Sequence, residues 1–73
     1  MSFDAACLAF EDVFAVVRED RRQNYGEDRF ILLGMVQERV LAVSYTMRND
    51  RVRIISVRIA EPQERRRYHE ENS

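Results

Sequence analysis

The chain has no lysine and no tryptophan. It has one cysteine, one proline, one histidine and two glycines. Each shortage excludes something. The lone Cys7 cannot close an internal disulfide, which points to a reducing cytoplasm. There is no Gly-rich phosphate loop, no CxxC, no His cluster and no GxSxG, so metal catalysis and nucleotide hydrolysis have little support. No metal ligands and no cofactor are expected. No apolar run approaches the roughly 20 residues of a membrane span. The N-terminus lacks a cationic segment followed by an apolar one, so neither a signal peptide nor a membrane partner is expected.

What is present is apolar residues and arginine. The 73 residues make one domain, residues 1–73, and 45% of them are hydrophobic, too many for a disordered chain. A core of this size is thin, and a partner or oligomer often supplements it. All 12 basic residues are Arg. Arg suits bidentate contacts to phosphate or carboxylate, although a GC-rich genome also encodes this bias. The net charge of −1 hides an asymmetry. Residues 1–28 carry seven acids and three arginines, a sum of −4, whereas residues 44–68 carry seven arginines and three acids, a sum of +4. A basic C-terminal half can face an anion while the acidic half faces elsewhere.

In chain order, residues 2–14 show a helical stripe of Phe3, Ala6, Cys7, Phe10, Val13 and Phe14. Ser2 can cap this helix, and Cys7 reads as a small core residue. Phe14 to Arg18 is β-prone. Residues 19–28 read as a polar connecting loop, in which Tyr25 either covers an edge or stacks on a base. Arg29–Val36, Arg39–Met47 and Arg51–Ala60 read as strands, joined by tight turns at Gln37-Glu38 and Asn49-Asp50. Pro62 fits the first turn of a helix running to about Glu70. The expected fold is α+β: an N-terminal helix, a four-stranded mainly antiparallel sheet in meander order, and a C-terminal helix.

The two turns fix a register. It pairs Met47 with Val52, Thr46 with Arg53, Ser44 with Ile55, Ala42 with Val57, Met35 with Val40, and Arg29 with Thr46. Alternation then divides the sheet. One face holds Ile31, Leu33, Met35, Val40, Ala42, Ile55, Val57 and Ile59, ending in a polar corner of Arg29, Thr46 and Arg53. The other holds Phe30, Leu32, Leu41, Val43, Tyr45 and Ile54, with Ser56 and Arg58. Both faces need a cover. Arg53 and Arg58 fall on opposite faces unless a bulge shifts the alternation.

Arginine, tyrosine and glutamate carry the candidate chemistry. Glu64 and Tyr68 lie four apart on one helical face, Arg65 and Tyr68 three apart, and Arg58 leaves the strand just before. Such a set can clamp a phosphate and move a proton. The bland alternative is a solubilising helix face, with Glu64 paired to Arg and Tyr68 packed on the sheet. His69 is a surface residue or a general acid or base.

The chain resembles the BrnT family of toxins, ribonucleases of bacterial type II toxin–antitoxin pairs with a RelE-like fold. The resemblance rests on Ser2-Phe3, Ala5-Ala6 and Phe10; on Glu27, Arg29-Phe30 and Gly34; on Tyr45-Thr46; and above all on Arg53-Ile54-Ile55-Ser56, Arg58, Ala60, Glu64-Arg65-Arg66 and Tyr68. It implies a metal-independent endoribonuclease that inhibits translation, turning the RNA 2′-OH against the adjacent phosphate. Arg58, Glu64, Arg65 and Tyr68 would be catalytic, with Glu64 or Tyr68 moving the proton. Arg53, Arg29, Arg48 and Arg66 would hold RNA. The implied partner is a ribbon-helix-helix antitoxin of the BrnA type. The family's usual N-terminal segment, with a Lys-His pair, is expected to be missing, which leaves a sheet edge for a homodimer to cover. A catalytically inactive truncated toxin, acting as an antitoxin-binding or dimeric interaction module, is the alternative.

Overall fold

Two dipeptides organise the sheet. Gln37 and Glu38 have φ of 50° and 67°, and Asn49 and Asp50 have φ of 51° and 64°. Positive φ at both central residues gives two-residue hairpin turns whose twist matches the flanking strands. The computed structural model describes residues 3–20 and 28–73. Its elements are α1 (Phe3–Phe10), β1 (Val16–Asp20), β2 (Asp28–Val36), β3 (Arg39–Arg48), β4 (Arg51–Ile59) and α2 (Pro62–Glu71). The strands lie in the order β1-β2-β3-β4 and every neighbouring pair is antiparallel, so the α+β expectation holds. Ser2, Tyr25 and Glu27 lie outside the described residues.

The register follows the turns only part of the way. Met47 pairs with Val52, Thr46 with Arg53 and Tyr45 with Ile54. A bulge then intervenes, and Ser44 pairs with Ser56, Val43 with Val57 and Ala42 with Arg58. The expected Ser44–Ile55 and Ala42–Val57 pairs are therefore wrong. Ile55 is the extra residue, and beyond it every β4 side chain changes face. Val57 and Ile59 join Val43 and Leu41. Ser56 and Arg58 join Ala42, Thr46 and Arg53.

Helix α2 covers part of this arginine face. Ile31, Leu33, Val40, Ala42, Ala60 and Tyr68 form one buried cluster, with Val16 and Met35 against it. Helix α1 covers the other face, where Ala6, Ala9, Leu32, Val43 and Tyr45 cluster and Phe10, Phe30, Ile54 and Val57 pack alongside. The Phe10 and Phe30 rings lie 5.1 and 5.5 Å from the Tyr45 ring.

α1 is shorter than the expected 2–14, and its buried side is different. Ala6 and Ala9 are fully buried, whereas Phe3 is 67% exposed, Val13 87% and Phe14 60%. Cys7 is exposed rather than a core residue. Gly34 supplies the reason. A Cβ there would stand 2.5 Å from the Ala9 carbonyl oxygen. The helix backbone rests directly on β2, so only alanines fit beneath it and the larger side chains turn outward. Among the described residues, no helix is long and apolar enough to cross a membrane.

Candidate functional site

Glu64 is the focus of the arginine face. It sits in the first turn of α2, behind Pro62, and its carboxylate accepts a hydrogen bond from the Glu61 backbone N–H at 2.8 Å. This returns the chain onto the helix and fixes the carboxylate over the sheet. Arg58, from the end of β4, donates to both oxygens, Nη1 to Oε1 at 2.6 Å and Nη2 to Oε2 at 3.1 Å. Arg18 of β1 approaches Oε2 at 3.8 Å. The Glu64 side chain is 7% exposed, whereas those of Arg58 and Arg18 are 39% and 35% exposed. The carboxylate is thus buried beneath two guanidinium groups that still reach solvent.

Burial raises the Glu64 pKa, but the Arg58 and Glu61 hydrogen bonds and the two positive charges outweigh it, and the net shift is downward. Arg58 is pushed up by its hydrogen bond to Glu64. Both groups are charged at neutral pH. Arg18, Arg58, Glu61, Gln63, Glu64 and Arg67 line a cavity of about 230 Å³.

The remaining expected residues divide among separate places. Tyr68 is buried, 5% exposed, and its hydroxyl donates to Asp12 Oδ2 at 2.5 Å. Burial first, then the bond and charge of Asp12, push its pKa up to about 12. Asp12 Oδ2 also accepts from the Met35 N–H at 2.8 Å, and Oδ1 from the Phe14 N–H at 3.0 Å. Met35 lies beyond the last β1–β2 pair, Val16 with Leu33, so Asp12 takes the place of a missing strand neighbour. Asn72 adds a second tie from α2, donating to the Phe14 carbonyl at 3.0 Å. Tyr68 therefore anchors the helix that carries Glu64.

Arg65 points into a different cavity, of about 320 Å³, with Arg39 and His69 above Met35, Val40 and Ile59. The His69 ring meets the Tyr68 ring edge-on at 5.4 Å. Arg66 is exposed on α2. Arg29, Thr46 and Arg53 form one row across the sheet and, with Ile54 and Ile55, line a cavity of about 370 Å³. Arg48 and Arg51 line a further cavity of about 540 Å³ beside that row. Of the four residues expected to be catalytic, the fold brings Arg58 and Glu64 together, sets Tyr68 against Asp12 and turns Arg65 to another cavity, while Arg18, outside that set, joins Glu64. Arg18 becomes visible only from the β1–β2 register, where it pairs with Ile31.

A four-stranded antiparallel sheet with a helix on each face, and one face carrying arginines around the buried Glu64 carboxylate, defines a small α+β protein with a cationic sheet face. The particular family follows from comparison with known proteins. Residues 1–64 match the family described as ribonuclease toxin, BrnT, of type II toxin–antitoxin system, and the chain belongs to it. Membership makes the protein the ribonuclease toxin of a toxin–antitoxin pair, with an antitoxin as partner and RNA as substrate. No curated protein matches the chain.

Proposed function

We propose that the protein is a metal-independent endoribonuclease that acts at Arg58, Glu64 and Arg18. The observation that carries this reading is the bidentate Arg58–Glu64 pair, in which a half-exposed guanidinium roofs a buried carboxylate. An RNA phosphate reaching the cavity competes with Glu64 for Arg58. As Arg58 turns to the phosphate, Glu64 loses the partner that lowers its pKa and becomes the better base. Glu64 then takes the proton of the ribose 2′-OH. The 2′-oxygen bonds to phosphorus, the bond from phosphorus to the 5′-oxygen breaks, and the departing 5′-oxygen takes a proton from water. The products are a 2′,3′-cyclic phosphate and a 5′-hydroxyl. Arg58 and Arg18 hold the phosphorane's added charge. Tyr68 keeps α2 in position and does not itself move a proton. Arg29, Arg48, Arg53 and Arg66 contact the RNA backbone, and Arg65 contacts it from the other side of α2.

The partner is a ribbon-helix-helix antitoxin of the BrnA type that covers the arginine face, and the work is done in the cytoplasm. The second reading is a non-catalytic module that binds the antitoxin or a second copy of itself. It is favoured by the fact that Arg58 is already neutralised by Glu64. Induced expression separates the two readings. The wild-type chain arrests growth and Arg58→Ala does not. Undiminished arrest by a folded Arg58→Ala protein rejects the assignment.

A further inference from the structure

The bulge at Ile55 has a consequence for how much RNA this face can hold. Without it, alternation would place Arg53 and Arg58 on opposite faces; with it, they share one. Helix α2 shelters only the half of the face built from Leu33, Val40 and Ala42. The other half, toward the Asn49-Asp50 turn, carries the row Arg29, Thr46, Arg53. Ser44 and Ser56, paired with each other, lie between this row and Arg58, which is opposite Ala42. Thr46, 3% exposed as a residue, lines the cavity at this row between two arginines in register. Arg53 is exposed and, among the described residues, has no ion pair. Ile55, at 44% exposure, forms an apolar lip on the same cavity.

Arg58 and Arg53 stand opposite Ala42 and Thr46, four residues apart on β3, which at strand rise is about 13 Å. That is roughly two sugar-phosphate steps of an extended single strand, the form in which RNA is usually read. Building on the ribonuclease reading, we infer that Arg53, with Arg29 and Thr46, forms a second phosphate subsite. It holds the RNA backbone about two linkages from the phosphate at Arg58 and Arg18, on a single-stranded substrate. The serines line the path between, and Ile55 offers a base an apolar wall. About four nucleotides, with three internal phosphates, is then the shortest strand that fills both subsites.

The test measures binding of 2′-O-methyl oligonucleotides, which cannot be cleaved, as a function of salt. Unphosphorylated strands of two, three, four and six nucleotides serve as probes. Each neutralised phosphate contributes about 0.7 to the slope of log K against log salt for a single strand. The slope rises between the dinucleotide and the tetranucleotide, and Arg53→Ala lowers the tetranucleotide slope by about 0.7, toward the dinucleotide value. Arg53→Lys restores it. A slope that does not change with length, or an Arg53→Ala loss as large on the dinucleotide as on the tetranucleotide, overturns the inference. So does the absence of binding at every length. Cleavage of unmodified RNA is scored separately. Cleavage without a length step refutes the subsite and spares the ribonuclease. A length step without cleavage does the reverse.

Discussion

Replacing Asp12 with alanine tests how the site is held together. Asp12 joins the turn after α1, the half-buried end of β2 and the buried hydroxyl of α2 through three hydrogen bonds. The bond from Tyr68 is charge-assisted and part-buried, for which about 1.5–3 kcal/mol is typical. Leaving the half-buried Met35 N–H without an acceptor adds about 1–2 kcal/mol, since water can replace part of the loss. The Phe14 N–H is exposed and adds little. The expected cost is about 3 kcal/mol, or roughly 12–24 °C in the thermal midpoint of a chain this small. Tyr68→Phe removes one of the three bonds and costs about 1–2 kcal/mol. Because the two groups share a bond, the double variant falls short of the sum by about 1 kcal/mol. Circular dichroism during thermal and urea unfolding measures all three variants. An Asp12→Ala protein within about 0.5 kcal/mol of the wild type, or strictly additive losses, refutes the clasp.

The same carboxylate sets a pH limit. Burial raises the Asp12 pKa, but the bonds from Tyr68, Met35 and Phe14 outweigh it and hold it below 3.8. Glu64 is likewise held below 4.5. A carboxylate whose folded pKa is depressed stabilises the fold above its unfolded value and loses that contribution as pH falls through the folded one. Stability is therefore level near neutrality and declines below about pH 4.5. Asp12→Asn removes part of that decline, which urea unfolding at a series of pH values would show.

Three further outcomes follow from particular contacts. Glu64→Gln keeps an acceptor for the Glu61 N–H but removes the charge that Arg58 meets. Because the Arg58 side chain is 39% exposed, solvent screens the pair and stability falls by only about 1 kcal/mol, while cleavage falls at least tenfold; unchanged cleavage removes Glu64 from the chemistry. Gly34→Ala drives a methyl group into the Ala9 carbonyl and costs about 3 kcal/mol, with α1 displaced and the Tyr45 near-ultraviolet signal reduced; full retention of both would contradict the packing. Glu38→Gly, at a φ of 67°, relieves a left-handed residue and raises stability by about 0.5–1 kcal/mol, read from the urea midpoint.

How far the sequence discloses this structure can be followed residue by residue. Gln37-Glu38 and Asn49-Asp50 are legible as turns because each interrupts a β-branched run with residues that accept a tight reversal. The register counted out from them is right as far as Tyr45 and Ile54. It fails at Ile55, yet β4 carries a sign of the bulge. The polar residues Arg51 and Arg53 have odd numbers, Ser56 and Arg58 even ones, and the Ile54-Ile55 doublet stands where the parity changes. Reading that change as an inserted residue puts both arginines on one face. The α1 stripe misled because it ranked residues by hydrophobicity. Contact with Gly34 selects for smallness, so Ala6 and Ala9 are buried and Phe3 is not. Asp12 had no local signature. Its partners Met35 and Tyr68 lie 23 and 56 residues away, brought to it only by the folded sheet and α2. The Arg58–Glu64 pair was legible because six residues and a Pro-marked turn return the helix onto the strand end.

Incubating the purified protein with RNA in the presence of EDTA decides whether Arg58 drives cleavage without a metal. Wild type and Arg58→Ala are compared side by side, and the fragment ends are analysed. The expected result is cleavage by the wild type that leaves 2′,3′-cyclic phosphate ends, and loss of at least a hundredfold in rate with Arg58→Ala at unaltered circular dichroism. Cleavage that requires a divalent ion, or that persists at the wild-type rate without Arg58, contradicts it.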